Sequence, residues 1–228
     1  MRFAARIFVF ALLCSSFAFG QELTREQKLQ KINDLNNQSR QLEQDFLLPG
    51  AKDLKQAEKE GFSVFRILPR EKYDRKLSIQ GGGSYYSFTT KSHDYQKIAQ
   101  IGLEQNNLKV GFAGADYGFI ADLGETPLAA VTRETGEVNF LINYKPPTVE
   151  PEVRIEQRKA QNYEAGGFSY KSHIPALVGH SYVLRAISFG DADVVVAFKV
   201  QRKDADGSLI IFWKLIENFE KPLLARAE

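Results

Sequence analysis

Cysteine is nearly absent from this chain: of 228 residues, Cys14 alone carries a thiol. That excludes a small scaffold stapled by disulfides and a structural zinc site built on paired cysteines. Excess charge of either sign is also missing, with 30 Lys and Arg against 28 Asp and Glu. The surplus pair, Arg2 and Arg6, lies in the first twenty residues, so the remainder is formally neutral. A nucleic-acid binder needs a basic face to exchange for phosphate counterions. Segments such as Arg70-Glu71-Lys72-Tyr73-Asp74-Arg75-Lys76 interleave the two signs instead, and no nucleic-acid partner is expected. After residue 20 no hydrophobic run is long enough for a transmembrane helix, and the alternating segments are too few for an outer-membrane barrel.

The long apolar run that does exist is N-terminal. Arg2 and Arg6 precede Ile7–Phe19, broken only by Cys14-Ser15-Ser16, and Ala18 and Gly20 put small residues at the positions a signal peptidase reads. The sequence predicts export to the periplasm or the exterior, with cleavage after Gly20. Leu13 is too large to precede the modified cysteine of a lipoprotein signal. Without disulfides, the mature chain must hold together by packing, and it is long enough to bury a hydrophobic core.

Residues 21–60 read as an N-terminal helical arm. Leu29, Ile32, Leu35, Leu42 and Phe46 fall on one face, Thr24 and Gln27 suit a capping box, and Pro49-Gly50 stops the first helix before a short second one from Ala51 to Glu60. From Gly61 the period changes to two, and residues 61–145 read as a β meander. Its strands are expected at Phe62–Leu68, Leu77–Thr90, Ile98–Glu104, Leu108–Ala113, Tyr117–Leu123, Ala129–Thr132 and Val138–Tyr144, with a tight turn at Asn106-Asn107. Residues 146–167 form a linker or exposed helix, and 168–228 form C-terminal hairpins in the same domain. There Val194, Val196, Phe198 and Val200 share one face, while the strand from Ser208 to Ile216 is apolar on both. That pattern predicts a central strand covered from both sides, with Trp213 in the core. The fold class expected is mainly β (α+β): an antiparallel β sandwich or partly open barrel with an N-terminal helix and one helical linker.

Several motifs fail at required positions. Asp204-Ala205-Asp206-Gly207 resembles a calcium loop, yet an EF-hand register would place its first ligand on Arg202 and its bidentate acid on Trp213, so a hairpin turn with Gly207 in the left-handed region is expected. Gly179-His180-Ser181 begins like a nucleophile elbow but has Val183 where the second glycine belongs. His93, His173 and His180 lack the paired spacing of a zinc site, and neither metal nor cofactor is expected. Gly81-Gly82-Gly83 lacks the lysine of a phosphate loop and marks a bulge, a bend or a close backbone approach.

Two segments, Ser84–Thr90 and Gly111–Phe119, combine small residues with aromatics, as glycine packed opposite an aromatic does, or as a cleft lined by stacking tyrosines does. On the second reading they lie on neighbouring strands, and Tyr85, Tyr86, His93, Asp116, Tyr117 and His173 are the ligand-binding candidates. The function expected is an exported, non-catalytic binding or envelope-associated protein, its partner a glycan, a peptide or an envelope component. The alternative is an exported hydrolase drawing on His93, Asp116, His173 or Asp191.

Overall fold

The computed structural model describes residues 22–93, 95 and 99–225; the expected signal segment and its cleavage point after Gly20 lie outside them. The chain divides into two units at Gln38/Ser39, within helix α1 (Arg25–Leu47). In the first unit the expected capping box is formed: Thr24 N donates to Gln27 Oε1, and Gln27 N donates to Thr24 Oγ1. Leu29, Ile32 and Leu35 are exposed there.

The second unit is built on a five-stranded antiparallel sheet in the order β1-β11-β10-β9-β5. Its strands are β1 (Ser63–Ile67), β5 (Tyr117–Asp122), β9 (Ser181–Ser188), β10 (Ala192–Lys203) and β11 (Leu209–Phe219). The β10–β11 loop is the expected turn, with Asp204 N donating to Ser208 O, Gly207 N donating to Asp204 O, and Gly207 at φ 87°. The Asp206 carboxylate accepts from the Arg66 guanidinium at 2.6 Å and from the Tyr73 and Ser208 hydroxyls.

Both faces of this sheet are covered. On one, Val194, Val196, Phe198, Leu209, Ile211 and Trp213 pack against a four-stranded sheet. That sheet runs β2 (Tyr85–Tyr86), β3 (Ile101–Glu104), β4 (Asn107–Lys109), β8 (His173–Pro175). On the other face Val195, Ala197, Ile210 and Phe212 join Val138 and Leu141 of helix α4 (Gly136–Asn143) and Val153 of helix α5 (Glu150–Lys159). A small hairpin, β6 (Tyr163–Ala165) with β7 (Phe168–Tyr170), completes that layer. The sandwich-like α+β architecture and the doubly covered central hairpin are therefore as expected.

Several local expectations change. Val138–Tyr144 is not a strand: Val138, Phe140, Ile142 and Tyr144 alternate, but Leu141 breaks the alternation and is fully buried with Val138 at helical i, i+3 spacing. Ala129–Thr132 is not a strand: its first two residues belong to a 3-10 turn, Leu128–Ala130. The β3–β4 turn uses Gln105-Asn106, at φ 49° and 61°, one residue earlier than expected. Within the expected linker 146–167, Gly166-Gly167 turns β6 into β7. Of Leu77–Thr90, two residues are strand. Gly81, Gly82 and Gly83 are all left-handed there, and a Cβ on Gly82 or Gly83 would overlap the Tyr73 carbonyl or the Leu47 side chain.

Candidate functional site

Tyr85 and Tyr86 leave the glycine turn on β2 with their side chains on opposite faces, as strand geometry requires. Tyr85 faces Gly102 across the β2–β3 pair, and its ring meets Phe112 edge-on at 5.1 Å. A Cβ on Gly102 would stand about 3 Å from both rings, so this is glycine making room for aromatics. Tyr86 lies between the two sheets, stacked on Phe65 with ring centroids 3.8 Å apart and edge-on to His93 and Trp213. Burial pushes its hydroxyl pKa up to about 12.

Tyr117 sits elsewhere. It belongs to the core on the helical face of the five-stranded sheet, whereas Tyr86 belongs to the core on the other face. The expected neighbouring strands are in fact members of different sheets, because the turn at Gly81–Gly83 carries the chain into the four-stranded sheet before Tyr85. The Tyr117 hydroxyl donates to Tyr144 Oη at 2.9 Å, and Tyr144 donates onward to Glu156 at 2.9 Å. Both tyrosines are held well above the usual phenol range, first by burial.

The remaining candidates are also dispersed. His93 donates from Nε2 to the Arg66 carbonyl at 2.6 Å, and its burial lowers its pKa. His173 is exposed on β8, paired in register with Lys109. Asp116 lies just before β5; burial raises its carboxyl pKa to about 6, and the Asp191 carboxylate adds to the rise. His180, set aside with the failed elbow motif, bonds through Nδ1 to both oxygens of Asp122 at 3.0 Å, while Ser181 Oγ donates away to the Thr126 carbonyl. Among the described residues no three His, Cys, Asp or Glu side chains gather to hold a metal ion.

What His93 and Tyr86 do share is a cleft of about 560 Å³ beside edge strand β1. Leu47, Leu48 and Pro49 wall it from the α1–α2 connection (α2, Ala51–Glu60), and Val64, Phe65 and Ile79 wall it from the body. Its polar groups include Asp45, Lys91 and Ser92. A second cavity of about 300 Å³ is bordered by Phe88, Val194 and Trp213, and Lys91 lines both. These walls come from segments scattered between residues 44 and 218, and no motif announces them.

A second missed feature is the buried pair of Arg185 and Asp193, each 2% exposed and joined by two hydrogen bonds of 2.8 and 2.7 Å. Its signal is legible: an arginine inside the apolar strand Tyr182–Ile187 and an acid opening the next strand are diagonal neighbours across an antiparallel pair. The guanidinium also donates to the Leu141 and Tyr144 carbonyls, capping the C-terminal end of α4.

Among the described residues no helix is long and apolar enough to cross a membrane. Compared with protein-family models, with curated proteins and with solved structures, the chain matches none of them.

Proposed function

We propose that this protein is exported, its signal removed after Gly20, and that it acts as a non-catalytic binding module whose ligand site is the cleft at Tyr86 and His93. The observation that carries this reading is the cleft itself. Its volume is in the range of small-molecule sites, and apolar walls with a few polar groups at the edge are the usual make-up of such sites. A partner from the cell envelope, delivered to the same compartment, suits both the cleft and the leader. The test is titration with the neutral apolar dye Nile red. Saturable binding is expected, and Ile79→Phe, which fills the cleft, should weaken it about fivefold, as ~1 kcal/mol of lost contact would, without moving the melting temperature. Absence of saturable dye binding would overturn the reading.

A hydrolase is the second reading, and the observation favouring it is Asp116, a carboxyl at about 6 beside Asp191. A general acid needs such a pKa near neutrality. Against it, His93 is bonded to the Arg66 carbonyl and His173 is exposed on β8 in register with Lys109, and neither is among the groups that bear on the Asp116 carboxyl. Any hydrolytic activity that Asp116→Asn abolished would restore this reading.

A further inference from the structure

The five-stranded sheet has an open stretch of edge where the cleft meets it. In an antiparallel pair, residues whose N–H and C=O bond to the neighbour alternate with residues whose groups point away. On β1, an edge strand, the Arg66 carbonyl accepts from His93, and just past the strand Leu68 N donates to the Gly83 carbonyl. The even-numbered residues therefore point away from β11. At the start of the same row, Phe62 N donates to the Ala57 carbonyl. Between these fixed points, the Val64 N–H, the Val64 C=O and the Arg66 N–H have no partner among the described residues. At the opposite edge of the sheet, Ile120 of β5 exchanges both its backbone bonds with Lys171. An open run of strand edge is a template for pairing, and proteins ordinarily cover it. Here Val64 and Phe65 line the cleft, so the open run borders an otherwise mostly apolar space.

We propose that this edge takes an extended peptide by strand addition, antiparallel to β1. This rests on the cleft being a ligand site and adds the chemical class of its occupant. A donor, an acceptor and a donor in a row match a peptide backbone, which carries one C=O and one N–H on each residue. A hydrocarbon chain in the same place would leave all three unmet. One peptide residue exchanges two bonds with Val64, and the residue two positions earlier accepts from the Arg66 N–H. The pairing starts at that earlier residue; its own N–H is not called on, because His93 already holds the Arg66 carbonyl. The residue between the two stands opposite Phe65, and strand alternation puts its side chain on the face where Tyr86 stacks on Phe65. An apolar side chain suits that place. Main-chain bonds then supply affinity, and the cleft supplies the choice of side chain.

The probe is the capped peptide Ac-Lys-Thr-Val-Leu-Val-Glu-NH2, with leucine for the place opposite Phe65, together with analogues in which single amides are replaced by esters. An ester removes one N–H with almost no change of shape, and the protein itself is left unaltered. Each is titrated into ¹⁵N-labelled protein, following the Val64 and Arg66 amide resonances. The parent peptide should bind saturably, displace Nile red, move both resonances downfield and slow their hydrogen exchange. Removing the N–H of the valine after leucine, which faces the Val64 carbonyl, should weaken binding about tenfold, the size of one lost hydrogen bond. Removing that of the valine before leucine should leave affinity unchanged. If no ester costs affinity, if the loss falls on the earlier valine, or if the two resonances stay in place, strand addition is overturned while the cleft remains a binding site. If the peptide does not bind, the inference fails, and the Nile red titration decides whether the cleft reading fails with it.

Discussion

Replacing Arg185 by methionine removes the most deeply buried cation among the described residues while keeping its aliphatic length. In the native state that guanidinium is bonded to both Asp193 oxygens, donates to the Leu141 and Tyr144 carbonyls, and stacks on the Phe219 ring with its carbon 4.2 Å from the centroid. The variant leaves the Asp193 carboxylate, 2% exposed, without a counter-charge. Breaking a buried pair from one side costs about 3–5 kcal/mol, because the remaining charge stays desolvated. That is a large part of the ~5–15 kcal/mol that holds a typical domain. The loss should appear as a fall of about 6–20 °C in melting temperature for a chain of this size and as a lower urea midpoint with unchanged slope. Arg185→Met with Asp193→Leu removes both charges, so the double variant should be more stable than Arg185→Met alone. A loss below about 1 kcal/mol for the single variant would refute the reasoning, since that is the value of a solvated surface pair.

Two other outcomes follow from the placement of the candidate residues. Tyr86→Ala and Tyr117→Ala should each cost about 3–5 kcal/mol, as buried aromatics do, whereas Tyr117→Phe, which loses the bond to Tyr144, should cost about 1 kcal/mol; urea unfolding separates them, and a marginal effect of both alanines would contradict their burial. Asp116, raised from 3.8 to about 6 in the folded state, binds its proton more tightly there than in the unfolded chain, so its contribution to stability is present at low pH and is lost as pH rises from about 4 to 6. Asp116→Asn should flatten that window and, allowing for solvent screening of a part-exposed group, leave the protein up to about 1 kcal/mol more stable at pH 7; chemical denaturation at pH 4 and pH 7 measures it.

What the sequence made legible and what it hid follow from how far each signal reaches. The β10–β11 hairpin was readable because all its determinants are local: a glycine for the left-handed turn position and two alternating apolar faces that allow one register. Helix α4 was not, because a short stretch containing Val138, Phe140, Ile142 and Tyr144 fits either period. The choice is made by Leu141 packing in the core and by Arg185, forty-four residues away, meeting the end of the helix. Tyr86 and Tyr117 shared a composition, and both proved deeply buried, but composition carries no information about which face of a sheet an aromatic will cover. The cleft was the least legible feature, since its walls come from helix α1, strands β1 and β2 and the loop before His93.

The cleft and the sandwich have a common origin in three glycines. β1 is an edge strand of the five-stranded sheet, and after it the chain must reach β2 in the other sheet. The left-handed run Gly81-Gly82-Gly83 makes that reversal: the Gly83 carbonyl accepts from Leu68 N just past β1, and the backbone at Gly82 and Gly83 closes against Tyr73 and Leu47. Tyr86 is thereby delivered onto Phe65, while among the described residues no strand pairs with the outer edge of β1, and Val64 and Phe65 line the cleft there. A side chain at Gly82 or Gly83 would disturb the fold and the cleft together, so lost binding in such a variant would say nothing about the ligand. Ile79 and Lys91 border the same space without holding the reversal in place, and substitutions there separate binding from folding.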